Sequence, residues 1–370
     1  MTRTAQRPIN KLFEPLSFCH GPGMPNRFML APMTNQQSHA DGTLSDDEYR
    51  WLVMRAKGGF GAVMTCGAHV VPSGQGFPGT LSISSNLHID GLTRLATGIK
   101  QEGSLAIVQL FHAGSRSPRD LIGQAPLFPI DDPSTGSRGM TTAEVEELVE
   151  GFIVAALRTE KAGFDGVEIH AAHGYLPCAF LSPASNLRTD RYGGSLENRA
   201  RFVREIIAGI RKRCGVEFII GLRLSVERFG LEVEETCQIA QDFMSEKTID
   251  FVDMSLWDVF KEPADERLQG RSLISYFTEL NRGDVRLGVA GKIMSAADAQ
   301  ACLDAGADFV LNGRAAVLHH NFPRKAHADE SFESVPAPVS RAYLEAEGLG
   351  PAFIQCMADW FDFVIKSNAK

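Results

Sequence analysis

The chain has 370 residues, 44% of them apolar and 22% charged, and a net charge of −8. That length exceeds the ~250 residues of a typical (β/α)8 barrel and fits one barrel with insertions. The acidic balance, without a long basic run, excludes a nucleic-acid binder, and no run of about 18 apolar residues offers a membrane span.

Met1–Asn10 lack the apolar core of a secretion signal. The seven cysteines are scattered and form no C-x-x-C, so free thiols and a cytoplasmic location are expected.

Residues 11–27 carry three prolines and two glycines and read as a hairpin or loop before the barrel. Phe28–Ala31 is a first strand, stopped by Pro32. Ser45, with Glu48 three residues on, has capping-box spacing and opens a helix with Tyr49, Leu52, Val53 and Ala56 on one face. Gly61–Thr65 is a second strand, running into Cys66, Gly67 and Ala68. A helix over 90–102 leads to a third strand, Leu105–Leu110. Residues 115–140 hold four prolines and no periodicity, as a functional or mobile loop would.

Thr141 caps the clearest helix, with Val145, Leu148, Val149, Phe152, Ile153, Ala156 and Leu157 at helical spacing. Phe164–Ile169 is the fourth strand, and it runs into His170, His173 and Tyr175. Ser195 caps the next helix. Phe218–Leu224, Ile249–Met254, Val285–Ala290 and Ala307–Leu311 complete eight strands, with helices over 232–245, about 270–280 and from Ser295 to Leu303. Two helical stretches fill a tail over 330–370, where Pro351 suits a first helical turn.

Alternation of this kind implies parallel βαβ units closing into one barrel: a single domain over 1–370, with its core at about 27–325. The strand-end residues Thr34, Gly67, Gln109, His170, Arg223, Gly291 and Arg314 would then converge on one mouth. Gly291 and Gly313-Arg314 follow strands seven and eight, where barrels commonly hold phosphate. Read alone, His170-x-x-His173 admits a metal pair or two structural histidines, and Tyr175 admits a packed aromatic.

Several segments together resemble the old yellow enzyme family of flavin-dependent ene-reductases. They are Ala31-Pro32-Met33-Thr34, Gln109-Leu110 with His112-Ala113-Gly114, His170 with His173-Gly174-Tyr175-Leu176, Phe180-Leu181-Ser182-Pro183, Arg188-Thr189-Asp190 with Tyr192 through Arg199, Arg223, and Gly313-Arg314. The resemblance implies FMN at the mouth and NADPH or NADH as reductant. Pro32, Met33 and Thr34 would contact the flavin, with Thr34 near its C4 carbonyl. Gly67 or Ala68 would offer backbone to it, and Gln109 would bond its pyrimidine edge. Arg223 would lie near N1, and Gly291, Gly313 and Arg314 would hold the phosphate.

His170 and His173 would grip the oxygen of an activated alkene, and Tyr175 would protonate its α-carbon. Another FMN-barrel oxidoreductase, or a flavin binder without catalysis, is the alternative. Leu176-Pro177-Cys178 and the serine in Gly114-Ser115-Arg116 depart from the family pattern near the pocket. Trp360, Phe361 and Phe363 are expected on the barrel's outer helices, with a homo-oligomer contact as their other use.

Overall fold

The computed structural model describes residues 11–366; the segment read for a secretion signal lies outside them. Eight parallel strands close a barrel: β1 (Phe28–Leu30), β2 (Ala62–His69), β3 (Leu105–Phe111), β4 (Gly166–Ala171), β5 (Ile219–Ser225), β6 (Phe251–Ser255), β7 (Arg286–Ala290) and β8 (Phe309–Asn312). Each pairs with its sequence neighbour, and β8 returns to β1 with Phe28 opposite Val310.

Alternation along each strand sorts the side chains. Ala106, Val108 and Leu110 of β3 join the large apolar layer between strands and helices, whereas Leu105 and Ile107 join the smaller cluster inside the barrel. Inside, Phe251 and Phe309 pack edge-on at 5.8 Å. They fit because Gly221 and Gly288 lack side chains: a Cβ there would come within 2.1 Å and 2.4 Å of those rings. The expected hairpin is reduced to one antiparallel rung, Leu16 with Met24. It closes the barrel floor, where Phe18 stands 5.7 Å from Phe251.

The caps form where the sequence puts them. Thr141 with Glu144, and Ser295 with Asp298, make full capping boxes. Ser45 accepts from Glu48 N, but Glu48 does not return the bond. Its carboxyl turns inward to Asn35, Ser38 and Cys66.

Two expected elements differ. The helix at about 270–280 shrinks to Ser275–Thr278, because Gly270 (φ +101°) and a backbone bond from Leu273 to Lys261 hold the preceding residues as loop. Within 115–140 a short helix (Arg119–Ile122) and a two-stranded ladder (Leu127–Phe128 with Arg138–Gly139) form. Arg188 pins this loop through the carbonyls of Pro129 and Met140, and Asp190 holds both Arg188 and Thr142. The Arg-Thr-Asp segment is thus a tether.

Candidate active site

The C-terminal ends of the strands surround a cleft of two adjoining lobes that share Pro32 and His173. The larger holds about 970 Å³ of empty space and the smaller about 370 Å³, both partly open to solvent.

The smaller lobe is lined by Thr34, Gly67, Gln109, His170, His173 and Tyr175 among others. A bulge between Met64 and Gly67 shifts the register of β2. It turns Gly67 toward the cleft and leaves Ala68 buried in the outer apolar layer. Of the pair Gly67 and Ala68, only Gly67 lines the cleft.

His170 is the penultimate residue of β4, and His173 follows on a turn with φ +61°. The turn is fixed from below: His173 N donates to Ser225 Oγ at 2.9 Å, and His173 Nε2 meets Ser255 Oγ at 2.8 Å. The three rings gather closely. His170 lies 5.0 Å from His173 and 5.0 Å from Tyr175, and Phe111 packs edge-on against Tyr175 at 5.3 Å.

Burial and the nearby Arg223 and Arg116 hold both imidazoles neutral, with His173 lowered to about 3 and His170 also well below the ordinary range. Burial raises the Tyr175 phenol, while Arg116 and Thr34 reach its hydroxyl and partly oppose that rise. Tyr175 therefore keeps its proton at neutral pH.

The larger lobe is lined by Met33, Arg223, Ser255, Trp257, Gly291, Gly313 and Arg314 among others. Arg314 is exposed and pairs with no carboxylate among the described residues. Lys292 is exposed and bound to Asp258 at 3.0 Å. Met357, Phe361 and Phe363 also line this lobe, and Trp360 stands 6.2 Å from Phe77 of the smaller one. This corrects the expectation for the tail aromatics: the last helix, Pro351–Trp360, delivers them to the mouth rather than to the barrel's outside.

Gly291 has φ +152°, and a Cβ there would meet Asp258 N and Trp257 C at 2.7 Å. Gly291→Ala should therefore destabilise the fold by about 1–3 kcal/mol, read as a lower urea midpoint. A Cβ at Gly313 meets Met33 Sδ at 3.5 Å and Ala31 Cβ at 3.8 Å, ordinary van der Waals contacts. Gly313→Ala should leave that midpoint unchanged and weaken only the holding of an anion.

The buried histidines also set an acid limit. His69 is lowered to about 4 and His112 to about 3, as His170 and His173 are lowered. A histidine neutral when folded takes up a proton on unfolding below about pH 6.5, so its contribution is present above that pH and lost as pH falls. The raised acids Glu48, Glu168 and Asp253 act in the opposite sense but are outnumbered by these four. The urea midpoint is expected to fall between pH 6.5 and about 4; a flat profile would contradict this reading.

Sequence reasoning missed Ser225 and Ser255, which position His173, and Arg116, whose guanidinium lies 5.3 Å from the Tyr175 ring and 5.5 Å from that of Phe229. Both serines end strands, so the strand-end rule that selected Arg223 could have found them. Among the described residues no group of three or more His, Cys, Asp or Glu is placed to hold a metal ion.

The family model for the NADH:flavin oxidoreductase / NADH oxidase family matches residues 11–332. The chain is 35% identical over 364 residues to the probable NADH-dependent flavin oxidoreductase YqiG of Bacillus subtilis, covering 92% of this chain and 97% of that protein. It is 34% identical over 336 residues to a Bacillus subtilis NADPH dehydrogenase, covering 89% and 97%. A solved 2-naphthoyl-CoA reductase superposes with TM-score 0.77 at 28% identity. That match covers 86% of this chain and 52% of the reductase, so the chain spans about half its length.

Proposed function

Because the chain belongs to the NADH:flavin oxidoreductase / NADH oxidase family, the old yellow enzymes, and is an NAD(P)H-dependent flavin oxidoreductase using FMN, we propose that its reaction is the reduction of an activated alkene. The observation that carries this reading is the gathering of His170, His173 and Tyr175 within 5.0 Å ring contacts at the junction of the two lobes.

The residues present fit the cofactor. Gly313 and Arg314 suit its phosphate: a bare backbone beside an unpaired guanidinium. Gln109, Thr34 and the backbone at Gly67 suit a polar ring edge. His170 Nδ1 is buried without a protein partner beside them. Bound there, FMN would supply hydride chemistry toward the β-carbon of an α,β-unsaturated carbonyl or similar compound, with NADPH or NADH as its reductant.

The protein's own groups supply the rest. A neutral imidazole still carries one N–H, so His170 and His173 can each donate to the substrate oxygen as negative charge grows there. Ser255 and Ser225 fix the orientation of His173. Tyr175 holds a proton over the same space and gives it to the α-carbon; solvent then reloads the phenol. Arg223 adds fixed positive charge close by. Met357, Phe361 and Phe363 give the larger lobe apolar lining.

Hydride and proton addition to a carbon–carbon double bond is tested by product analysis. Anaerobic incubation of the purified protein with FMN, NADPH or NADH, and cyclohexenone is expected to yield cyclohexanone. A bleached flavin that cyclohexenone does not reoxidise would favour another flavin oxidation chemistry at this mouth.

A further inference from the structure

Beneath the mouth, four polar side chains on four adjacent strands form a buried chain. Gln109 Nε2 on β3 donates to Glu168 Oε1 on β4 at 2.8 Å, and the two residues are register partners. Arg223 Nε on β5 lies 3.0 Å from Asp253 Oδ2 on β6, also a register pair, though without the alignment of a hydrogen bond. Glu168 and Asp253 have no exposed surface, and their carboxyls lie within hydrogen-bonding reach of each other.

Three of their four oxygens, Glu168 Oε2 and both of Asp253, have no donor in the protein. Buried polar atoms rarely stay unsatisfied. His170 and His173, both neutral, lie near Arg223, and among the described residues Arg223 is the cation acting on both acids, so a single guanidinium faces two carboxyls. Two carboxylates in such surroundings cannot both remain ionised. A proton between them partners two of the three oxygens and leaves Asp253 Oδ2 to Arg223, 3.0 Å away. Asp253, beside Arg223, is the better seat for the remaining charge; Glu168, whose other partner is the neutral amide of Gln109, is the better seat for the proton.

We propose that Glu168 and Asp253 share one proton at neutral pH, carried by Glu168, and that the resulting charge-neutral cluster positions Gln109 and Arg223 for the pyrimidine edge of the flavin. The proposal rests on the flavin reading above. Glu168 is here a positioning residue, acting through Gln109 and Arg223. Losing the shared proton would place a net negative charge under the cofactor, opposing electrons entering it.

Two readouts test this. Infrared spectroscopy of the protein at neutral pH is expected to show a protonated-carboxyl band that shifts in D2O and vanishes in Glu168→Gln. It should persist in Glu48→Gln, a control for the other raised buried acid. Asp253→Asn provides a second variant: Glu168 must then ionise to pair with Arg223, and the same band should vanish.

The second readout is the reduction potential of the FMN-loaded protein. Glu168→Gln leaves the cluster charge unchanged, so its potential should stay within about 30 mV of the original, a tenfold change for a two-electron couple. Glu168→Gln with Asp253→Asn leaves Arg223 unopposed and should raise the potential by more than about 30 mV. A Glu168→Gln shift as large as that of the double variant, a band unaffected by Glu168→Gln, or a double variant with an unshifted potential would each overturn the proposal. A protein that takes up no FMN would instead overturn the flavin reading, and the infrared arm would still locate the proton.

Discussion

Tyr175→Phe is expected to slow enone-dependent reoxidation of the flavin by about 10²–10⁴-fold, the usual worth of a positioned general acid. The phenol meets the requirements of that role. It is half-buried, its ionisation is raised, and its hydroxyl is within reach of Thr34 and Arg116 side chains. Packing against Phe111 at 5.3 Å and His170 at 5.0 Å fixes the ring, and phenylalanine keeps both contacts. The variant should therefore fold, bind FMN and be bleached by NADPH or NADH at the original rate, because flavin reduction needs no proton from this position. Stopped-flow measurement of the two half-reactions checks this. Equal loss in both, or in neither, would remove Tyr175 from the proton path.

The second large effect is expected at the histidine pair. Loss of one oxyanion donor typically costs about 10²–10³ in rate. His170→Ala and His173→Ala should each lower enone turnover by that factor. Combined, they should lower it by less than the product of the two, because neighbours acting on one atom are not additive. Ser255→Ala separates position from presence. It keeps the imidazole of His173 but removes the 2.8 Å bond that holds it, so its loss should be smaller than that of His173→Ala. A Ser255→Ala loss equal to that of His173→Ala would mean that the orientation of His173, not its N–H alone, carries the effect.

The eight strands were legible because each is an apolar run giving way to a polar residue or glycine, and those residues lie at the mouth. Thr34, Gln109, His170, Arg223 and Gly313 all line the cleft for that reason. What the sequence hid has physical causes. The β2 bulge carries no residue signature, and simple alternation from Ala62 and Met64 would have turned Cys66 inward instead of Gly67. Trp360, Phe361 and Phe363 look like ordinary core aromatics, and only the path of the last helix brings them to the mouth.

Glu168 reads as part of a strand because its carboxyl sits where alternation expects an inward side chain. That it needs a proton follows only from Asp253 arriving beside it from a strand some eighty residues further on. Glu48 has capping-box spacing, yet burial against Ser38, Asn35 and Cys66 took its carboxyl away from the cap. Tertiary contacts won over local pattern in both cases.

On the proposed function, His170 and His173 grip the electronegative atom of a molecule docked over bound FMN. Titration of the FMN-loaded protein with a phenol reports on that grip. A long-wavelength charge-transfer band is expected to grow with the phenol and to be lost in His170→Ala with His173→Ala, while the FMN content of that variant stays unchanged. A band of equal strength and affinity in the double variant, or no band in the original protein that binds FMN, would contradict it.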